Sequence, residues 1–169
     1  MEDEKVRVTF IVVSGGHAVQ ALTLAQRMKP HAVNSFIVMK GDEIFRKRIP
    51  AGHEIHEITH TFQAVKRYSR TYLLLRTWRV LPAMIESLVA LYKCKSDIVV
   101  STGSGPALIP MFAAKLMRKK VVYVESVSRV HSVSLCGKVA HKWLADLFFV
   151  QWPEAKANYP NATYAGRLL

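Results

Sequence analysis

The chain has 169 residues, half of them hydrophobic, and carries a net charge of +12 with a pI near 10.0. This length and composition suit one domain over residues 1–169 and exclude a chain that is disordered throughout. The positive charge predicts an anionic partner such as nucleic acid, an anionic membrane surface or a phosphorylated substrate. Two cysteines, Cys94 and Cys136, are too few for a disulfide scaffold and lack the spacing of a zinc site.

No stretch of the sequence predicts a membrane-spanning helix. The two longest charge-free stretches, 8–26 and 98–114, are each interrupted by serine and glycine turns. The first five residues are acidic and lead directly into a strand, so they do not resemble a signal peptide. We therefore expect a reducing cytoplasmic setting and a chain that is soluble or peripheral to a membrane.

The first predicted element is a strand that begins at Val6, and it is followed by a glycine turn and a helix. The turn reads Ser14-Gly15-Gly16-His17. Glycines let backbone N–H groups approach a ligand closely, and the helix N-terminus behind them favours an anion. The turn therefore predicts a phosphate site, although many α/β folds need glycine there for steric reasons alone.

The rest of the chain alternates between strand and helix. Strands are predicted at 35–39, 53–59, 97–101, 121–125, 146–151 and 163–165, with 53–59 as an edge strand. Helices are predicted over most of 62–92, and at 107–117, 134–143 and 153–158. Thr71 and Pro82 are expected to interrupt the long helix, and residues 40–48 to form a charged turn and a basic cluster. This alternation predicts a Rossmann-like, doubly wound, mostly parallel α/β sheet.

Several segments, in order along the chain, resemble a known family. They read VSGGH, STGSGPA, VYVESVSRVHSVSLCGKVAH, FFVQWPEAKANYP and YAGRLL. The pattern resembles the membrane-recruiting subunit of the two-subunit UDP-N-acetylglucosamine transferase of dolichol-linked oligosaccharide synthesis, with bacterial and archaeal relatives in polysaccharide assembly. The resemblance covers nearly the whole chain. It implies the amino-terminal, acceptor-side half of a GT-B glycosyltransferase similar to MurG.

The resemblance also implies a reaction and a set of partners. It implies transfer of a sugar from a UDP donor to a lipid-pyrophosphate-linked glycan at the cytoplasmic face of a membrane. A separate chain would bind the UDP-sugar, so this chain would bind no cofactor and be inactive alone. Eukaryotic members usually begin with a transmembrane helix, whereas the first strand here begins within a few residues of Met1. We therefore expect a prokaryotic-type member or a chain from which that helix has been removed.

Candidate site residues lie in three loops that follow predicted strands, at 14–17, 102–106 and 125–129, and these loops should converge on one cleft. His17 is a candidate catalytic base or phosphate ligand, or else a helix cap. Glu125 ends a buried strand, where it serves acceptor binding or base chemistry, or forms a structural ion pair with Arg129. The candidate ligands of the acceptor phosphate are Ser14, Gly15, Gly16, Gly103, Ser104, Gly105 and Arg129. Purely structural turns would have the same sequence.

A basic helical segment is the candidate membrane-binding region. On a helical wheel Lys66, Arg67 and Arg70 lie in one arc, opposite several apolar residues, and Arg76 and Arg79 extend the basic character. Such a segment can lie at an anionic bilayer surface. The alternative is the solvated face of an ordinary packed helix.

One tryptophan and three histidines are further candidate site residues. Trp152 is predicted at the interface with the partner chain, or else in the core. No metal site is predicted for His53, His56 and His60, because His53 and His56 lie on different faces of a strand and no carboxylate or cysteine completes a set.

Two other functions fit the composition. The first is a basic nucleic-acid-binding α/β module, supported by the charge alone because the sequence has no helix-turn-helix, zinc module or RNP-like strand. The second is a self-sufficient small Rossmann enzyme, which the incomplete GxGxxG pattern disfavours. We therefore expect no nucleic-acid partner.

Overall fold

The computed structural model describes residues 5–61 and 77–169. Its centre is a sheet of β1 (Val6–Val12), β2 (Ala32–Met39), β3 (Glu54–Ile58), β4 (Ile98–Ser101), β5 (Lys120–Val124), β6 (Leu147–Val150) and β7 (Thr163–Tyr164). The strand order is β3-β2-β1-β4-β5-β6-β7, and every pairing within the described ranges is parallel. The predicted parallel α/β sheet is confirmed, and β3 is an edge strand as predicted.

Helices connect most of these strands. They are α1 (Gly16–Met28), α2 (Glu43–Arg46), α3 (Val80–Lys93), α4 (Leu108–Leu116) and α5 (Leu135–Val139). A π-helical turn at Ala140–Leu144 continues α5, and 3-10 turns occupy Thr77–Arg79, Gly105–Ala107 and Pro153–Asn158. None of the described helices is long and apolar enough to cross a bilayer.

The predicted charged turn is present at residues 40–41 but leads into an unexpected helix, and the predicted interruption at Pro82 is wrong. This helix, α2, is capped by Asp42 through a 3.3 Å hydrogen bond from the Phe45 N–H. Pro82 does not interrupt its helix, because it is the third residue of α3, where a backbone N–H has no intrahelical acceptor. Residues 62–76 lie outside the described residues, and they include four of the five predicted membrane-binding residues.

The helices cover the two faces of the sheet unequally. On one face, Ile37, Val99 and Val121 pack in a core with Leu91 of α3 and Met111 of α4. On the other face, a smaller core joins α1 to β1 and β2, with Phe10 and Phe36 at its centre. The chain proceeds from β1 to β3 in one direction and from β4 to β7 in the other, so right-handed crossovers place these helices on opposite faces.

The reversal of direction creates a switch point between β1 and β4. In doubly wound sheets the loops on either side of such a point separate and leave a crevice beyond the carboxyl ends of the strands. The loops that flank it here are 13–15, before α1, and 102–104, before α4. The first two predicted phosphate loops are therefore neighbours across this crevice.

Candidate active site

His17 and Thr102 join the two sides of the crevice. Nδ1 of His17 lies 2.8 Å from the carbonyl oxygen of Thr102, and the Thr102 hydroxyl donates to the carbonyl oxygen of His17 at 2.7 Å. A carbonyl oxygen only accepts, so Nδ1 must carry the proton. Nε2 of the neutral ring then holds a lone pair, and no described residue hydrogen-bonds to it. The ring is held in the tautomer that a general base requires.

Gly103 makes this close approach possible. Its φ is +114°, and a Cβ at this position would lie 2.9 Å from the His17 ring and 3.2 Å from the Tyr123 hydroxyl. Any side chain would strain the backbone and displace the imidazole. A steric need therefore accounts for this glycine, and its predicted role in phosphate binding stays a prediction.

The N-terminus of α1 lies open beside His17. Gly15 is the N-cap with φ +76° and has no side chain to cap the helix, and its carbonyl accepts the N–H groups of Ala18 and Val19 at 3.1 and 3.4 Å. The N–H groups of Gly16 and His17 have no backbone acceptor among residues 5–61 and 77–169. Ser14 to Gly16 are exposed, and the first helical turn has no acidic residue. This geometry can bind an anion.

The second loop carries backbone strain. Ser104 has φ +76°, an uncommon value for a residue with a side chain, and Gly105 begins the 3-10 turn before α4. The Ser104 carbonyl accepts a hydrogen bond from the Cys136 thiol at 3.2 Å. Ser104 and Gly105 are half-buried. Strain of this kind concentrates at ligand sites, which favours the phosphate contact predicted for this loop.

Glu125 is buried, with 1% of its surface exposed. Its carboxylate accepts hydrogen bonds from the Ser126 N–H at 2.9 Å, from the Ser134 hydroxyl at 3.0 and 3.1 Å, and from the Tyr159 hydroxyl. Neutral donors thus satisfy the charge. In this arrangement the carboxylate is closed to solvent, so a catalytic role would require it to be opened to substrate.

The predicted ion pair between Glu125 and Arg129 is wrong. Arg129 is exposed, and its guanidinium donates to the Ser132 hydroxyl at 3.1 Å. The two residues are only four positions apart in the sequence, which favours an ion pair between them. The chain instead turns at 126–129, where the Arg129 N–H bonds to the Ser126 carbonyl at 2.9 Å. The exposed cation remains a candidate contact for the acceptor phosphate.

The first turn of α5 packs directly against the Glu125 carboxylate. Ser134 caps this helix by accepting the Gly137 N–H at 2.8 Å while its hydroxyl donates to the carboxylate. A Cβ at Gly137 would lie 2.1 Å from Oε2 of Glu125, so only glycine fits. Burial raises the pKa of Cys136 to about 12, and burial with the Glu125 charge raises the pKa of Tyr159 as well. Both groups therefore keep their protons at neutral pH.

Two buried glutamines, missed in the sequence, hold the third loop. The Gln151 amide donates to Oε1 of Gln20 and to the Glu125 carbonyl, the latter at 2.9 Å. Oε1 of Gln20 also accepts the Val127 N–H at 3.2 Å, and Oε1 of Gln151 accepts the Leu168 N–H at 2.9 Å. A polar residue inside the apolar stripe of α1 was the available signal, because a buried amide needs partners.

Trp152 packs largely within its own chain. The indole N–H donates to the Val127 carbonyl at 2.6 Å, and the Arg167 guanidinium lies 3.4 Å from the ring centre. The ring is only half-buried, so contact with a partner remains a prediction.

Of the predicted membrane-binding residues, only Arg79 lies in the described part, where its guanidinium is 5.2 Å from the Trp78 ring centre. The other four, Lys66, Arg67, Arg70 and Arg76, lie outside it. The helix that follows exposes apolar side chains instead. These are Leu81, Ile85, Val89 and Tyr92.

The predicted absence of metal ligands around the strand histidines rests on a wrong premise. His53 bonds to the Asn34 carbonyl at 3.1 Å, whereas His56 lies 2.7 Å from Glu54. A carboxylate and a cysteine do accompany His56, because the ligand atoms of Glu54, His56 and Cys94 all lie within 4.8 Å of one another. Cys94 was missed because it follows α3, far along the chain from β3.

Known proteins share this sequence and fold. The mouse UDP-N-acetylglucosamine transferase subunit ALG14 is 28% identical over an alignment of length 187. The alignment covers 98% of this chain and 84% of the mouse protein. The Saccharomyces cerevisiae subunit of the same name is 28% identical over 185 residues, with 96% and 77% covered. Both alignments span nearly all of this chain.

Among solved structures, MurG of Acinetobacter baumannii has a TM-score of 0.74 at 15% identity. The match covers 96% of this chain but 45% of MurG, so the chain spans about half of that enzyme. This likeness shows the fold, which is one Rossmann-like half of a GT-B glycosyltransferase. The family described as Oligosaccharide biosynthesis protein Alg14 like matches residues 8–168, and the chain belongs to it.

Proposed function

We propose that this chain is the acceptor-binding subunit of a heteromeric glycosyltransferase that transfers N-acetylglucosamine from a UDP donor to a lipid-pyrophosphate-linked glycan. Its relatives are named as subunits of a UDP-N-acetylglucosamine transferase. The main observation in favour of a catalytic role for this chain concerns the His17 ring. Its Nδ1–H donates to the Thr102 carbonyl, and its Nε2 has no hydrogen-bond partner among the described residues.

His17 acts as the general base in this proposal. An acceptor hydroxyl donates its proton to Nε2, its oxygen attacks the anomeric carbon, and UDP leaves. The acceptor pyrophosphate lies on the open N–H groups of Gly16 and His17 and on the turn at 103–105. Binding the acceptor there fixes the hydroxyl against the donor, which lowers the entropic part of the barrier.

The UDP-sugar is bound by a separate partner chain, and this chain binds no cofactor of its own. Support comes from an apolar pocket of about 430 Å³ over β4, β5 and β6, on the face that α1 covers only in part. Ile98, Val122, Phe149 and Leu168 are among the residues that line it. A doubly wound sheet normally has helices on both faces, so an apolar element of the partner completes this one.

The opposite face is proposed to bind an anionic membrane from the cytoplasmic side. Along α3, Leu81, Ile85 and Val89 recur every four residues and are 67%, 53% and 46% exposed. Trp78 and Trp143 are also exposed, with Arg79 and Lys142 over their rings at 5.2 and 4.9 Å. Apolar side chains with neighbouring tryptophans and cations suit a bilayer interface, where each cation adds about 1 kcal/mol.

Reconstitution tests the split of functions. The purified chain alone should show no sugar transfer and no calorimetric binding of UDP-N-acetylglucosamine. Addition of the donor-binding subunit and a lipid-pyrophosphate acceptor should restore transfer. Micromolar binding of the UDP-sugar by this chain alone would contradict the proposal.

Vesicle sedimentation tests the membrane surface. Replacing both Leu81 and Ile85 by serine should weaken binding to phosphatidylserine vesicles by at least ~10-fold, because two exposed apolar side chains no longer insert. The matched control replaces Val6 and Val33, which are 44% and 49% exposed at the other end of the sheet. Substitution of Lys66, Arg67 and Arg70 by glutamate should also release the protein, more so at low salt.

The nucleic-acid alternative is tested with the same variants. Binding to duplex DNA would depend on charge and not on the apolar face. Tight DNA binding that is unchanged by the serine substitutions, together with absent vesicle binding, would favour the alternative.

A further inference from the structure

A polar row crosses three strands, from the middle of β1 and β2 to the first residue of β3, on the side away from the crevice. Thr9 of β1 pairs with Ser35 of β2, and Ser35 pairs with Glu54 of β3. The Thr9 and Ser35 hydroxyls are 2.7 Å apart and buried. His56 lies two residues beyond Glu54, so both side chains project from the same face of the edge strand. The row therefore ends in a carboxylate and an imidazole.

Cys94 faces this row from the end of α3. It is the C-cap of that helix, is 4% exposed, and its sulfur lies within 4.8 Å of ligand atoms of Glu54 and His56. A helix C-terminus carries partial negative charge and favours a cation. Carboxylate, imidazole and sulfur ligands thus meet at the negative end of a fourteen-residue helix.

We propose that Glu54, His56 and Cys94 bind a zinc ion, with water as the fourth ligand. Bond lengths of about 2.0 to 2.3 Å in a tetrahedral site separate neighbouring ligand atoms by roughly 3.3 to 3.8 Å. The three atoms here lie within 4.8 Å of one another, and the closest characterised pair, His56 Nε2 and Glu54 Oε1, is 2.7 Å apart. The Glu54 and His56 side chains are 47% and 21% exposed, and the zinc geometry requires them to rotate apart from their present contact.

The charges balance in this site. The thiol of Cys94 releases its proton to solvent, and the thiolate and carboxylate together neutralise Zn²⁺. A pocket of about 370 Å³ opens beside Glu54 and Cys94, and Arg7 and Lys29 also line it. The bound ion ties edge strand β3 to the end of α3, so it stabilises the fold and takes no part in sugar transfer.

Cobalt and zinc titrations of the full chain test the site. After treatment with a chelator, the wild type should bind one Co²⁺ with a thiolate-to-metal absorption band that Zn²⁺ abolishes. Zn²⁺ alone should raise the melting temperature, because it binds the folded state. Glu54→Gln, His56→Gln and Cys94→Ser should each weaken Zn²⁺ binding by at least ~10-fold. Cys136→Ala and His31→Gln are the matched controls and should bind as the wild type does.

The site is refuted if the wild type shows no cobalt–thiolate band, or if Cys94→Ser keeps the band. Loss of the band in Cys136→Ala but not in Cys94→Ser would also overturn it. Should burial of Cys94 prevent Cys94→Ser from folding, Glu54→Gln and His56→Gln decide the matter. Both replace half-exposed or exposed side chains, and unchanged Zn²⁺ affinity in both would remove the proposal.

Discussion

The two ends of the sheet carry polar clusters that are built by different means. At the carboxyl end, irregular loops with positive φ at Gly15, Gly103 and Ser104 bring His17 to Thr102 and leave one ring nitrogen open. At the amino end, regular strand register aligns Thr9, Ser35 and Glu54 beneath a helix end. The loop-built cluster depends on backbone shapes that glycine permits, whereas the strand residues of the register-built cluster depend on pleat and pairing.

The largest loss of stability should come from Gly137→Ala, which disturbs the packing around Glu125 at the carboxyl end of the sheet. Alanine normally stabilises a helix relative to glycine by about 1 kcal/mol, but here its Cβ would lie 2.1 Å from Glu125 and 2.5 Å from the Tyr159 hydroxyl. We expect a loss of about 3 kcal/mol in the free energy of unfolding, measured by urea denaturation.

Gly16→Ala is the matched control, because a Cβ at that position meets nothing within 4 Å and its backbone conformation is open to any residue. Its free energy of unfolding should stay within about 0.5 kcal/mol of the wild type. An equal loss of unfolding free energy in Gly137→Ala and Gly16→Ala would mean that the packing around Glu125 leaves room for a methyl group.

The next largest effect concerns His17, whose ring should matter for turnover more than for stability. His17→Ala should lower turnover of the reconstituted enzyme by at least ~10²-fold, since it removes the general base. The free energy of unfolding should fall by only about 1 kcal/mol, for one lost hydrogen bond to Thr102.

Thr102→Val distinguishes the contribution of the His17 ring from that of the loop contact that supports it. It removes the hydroxyl that bonds to the His17 carbonyl and keeps the backbone carbonyl that orients the ring. Turnover should remain within a few-fold of the wild type. A loss as large as that of His17→Ala would indicate that loop geometry, and not the base, limits the reaction.

The sequence predicts most of the sheet because short β-branched runs and glycine turns are local signals. The strand at 98–101 and the 3-10 segment Pro153–Asn158 lie within a residue of their predicted bounds. The exceptions have local causes as well. Four residues of α2 are too few to show a helical period, and Pro82 looks like a break unless the helix start at Val80 is known.

The site was harder to predict, because its contacts join distant segments. The sequence pairs Glu125 with the nearby Arg129, yet the hydroxyls of Ser134 and Tyr159 satisfy the carboxylate from the ends of α5 and of the 3-10 segment. The hydrogen bond between Gln20 and Gln151 joins α1 to the residue after β6 in the same way. Period and composition predict which face is buried, but not which donor meets a given acceptor.

Glu125→Gln distinguishes the two roles of this residue. Because the carboxylate is buried among hydroxyl and amide donors, we expect a loss of about 2 kcal/mol in the free energy of unfolding and turnover of the folded fraction near the wild type. The catalytic role predicted from the sequence requires the reverse. A ~10²-fold loss of turnover at unchanged stability would restore that role.

The last effect is absent at neutral pH and is a change in how stability depends on alkaline pH. Burial raises the pKa of Cys136 in the folded chain from its usual 9.0 to about 12. Below pH 9 both folded and unfolded states hold the thiol proton. Between pH 9 and 12 only the folded state holds it, so this group's contribution is lost as pH rises, by at most about 1.4 kcal/mol per pH unit.

Urea denaturation between pH 8 and pH 10.5 measures this slope. Cys136→Ala and Cys136→Ser both remove the titrating thiol, and both should flatten the decline relative to the wild type, although serine keeps a polar group at the site. Tyr159, whose pKa is also raised by burial and by Glu125, continues to contribute above pH 10 in all three proteins. Parallel curves for the wild type and both variants would show that the Cys136 thiol is not shielded from water, and the loop-built end would then be more open than its contacts indicate.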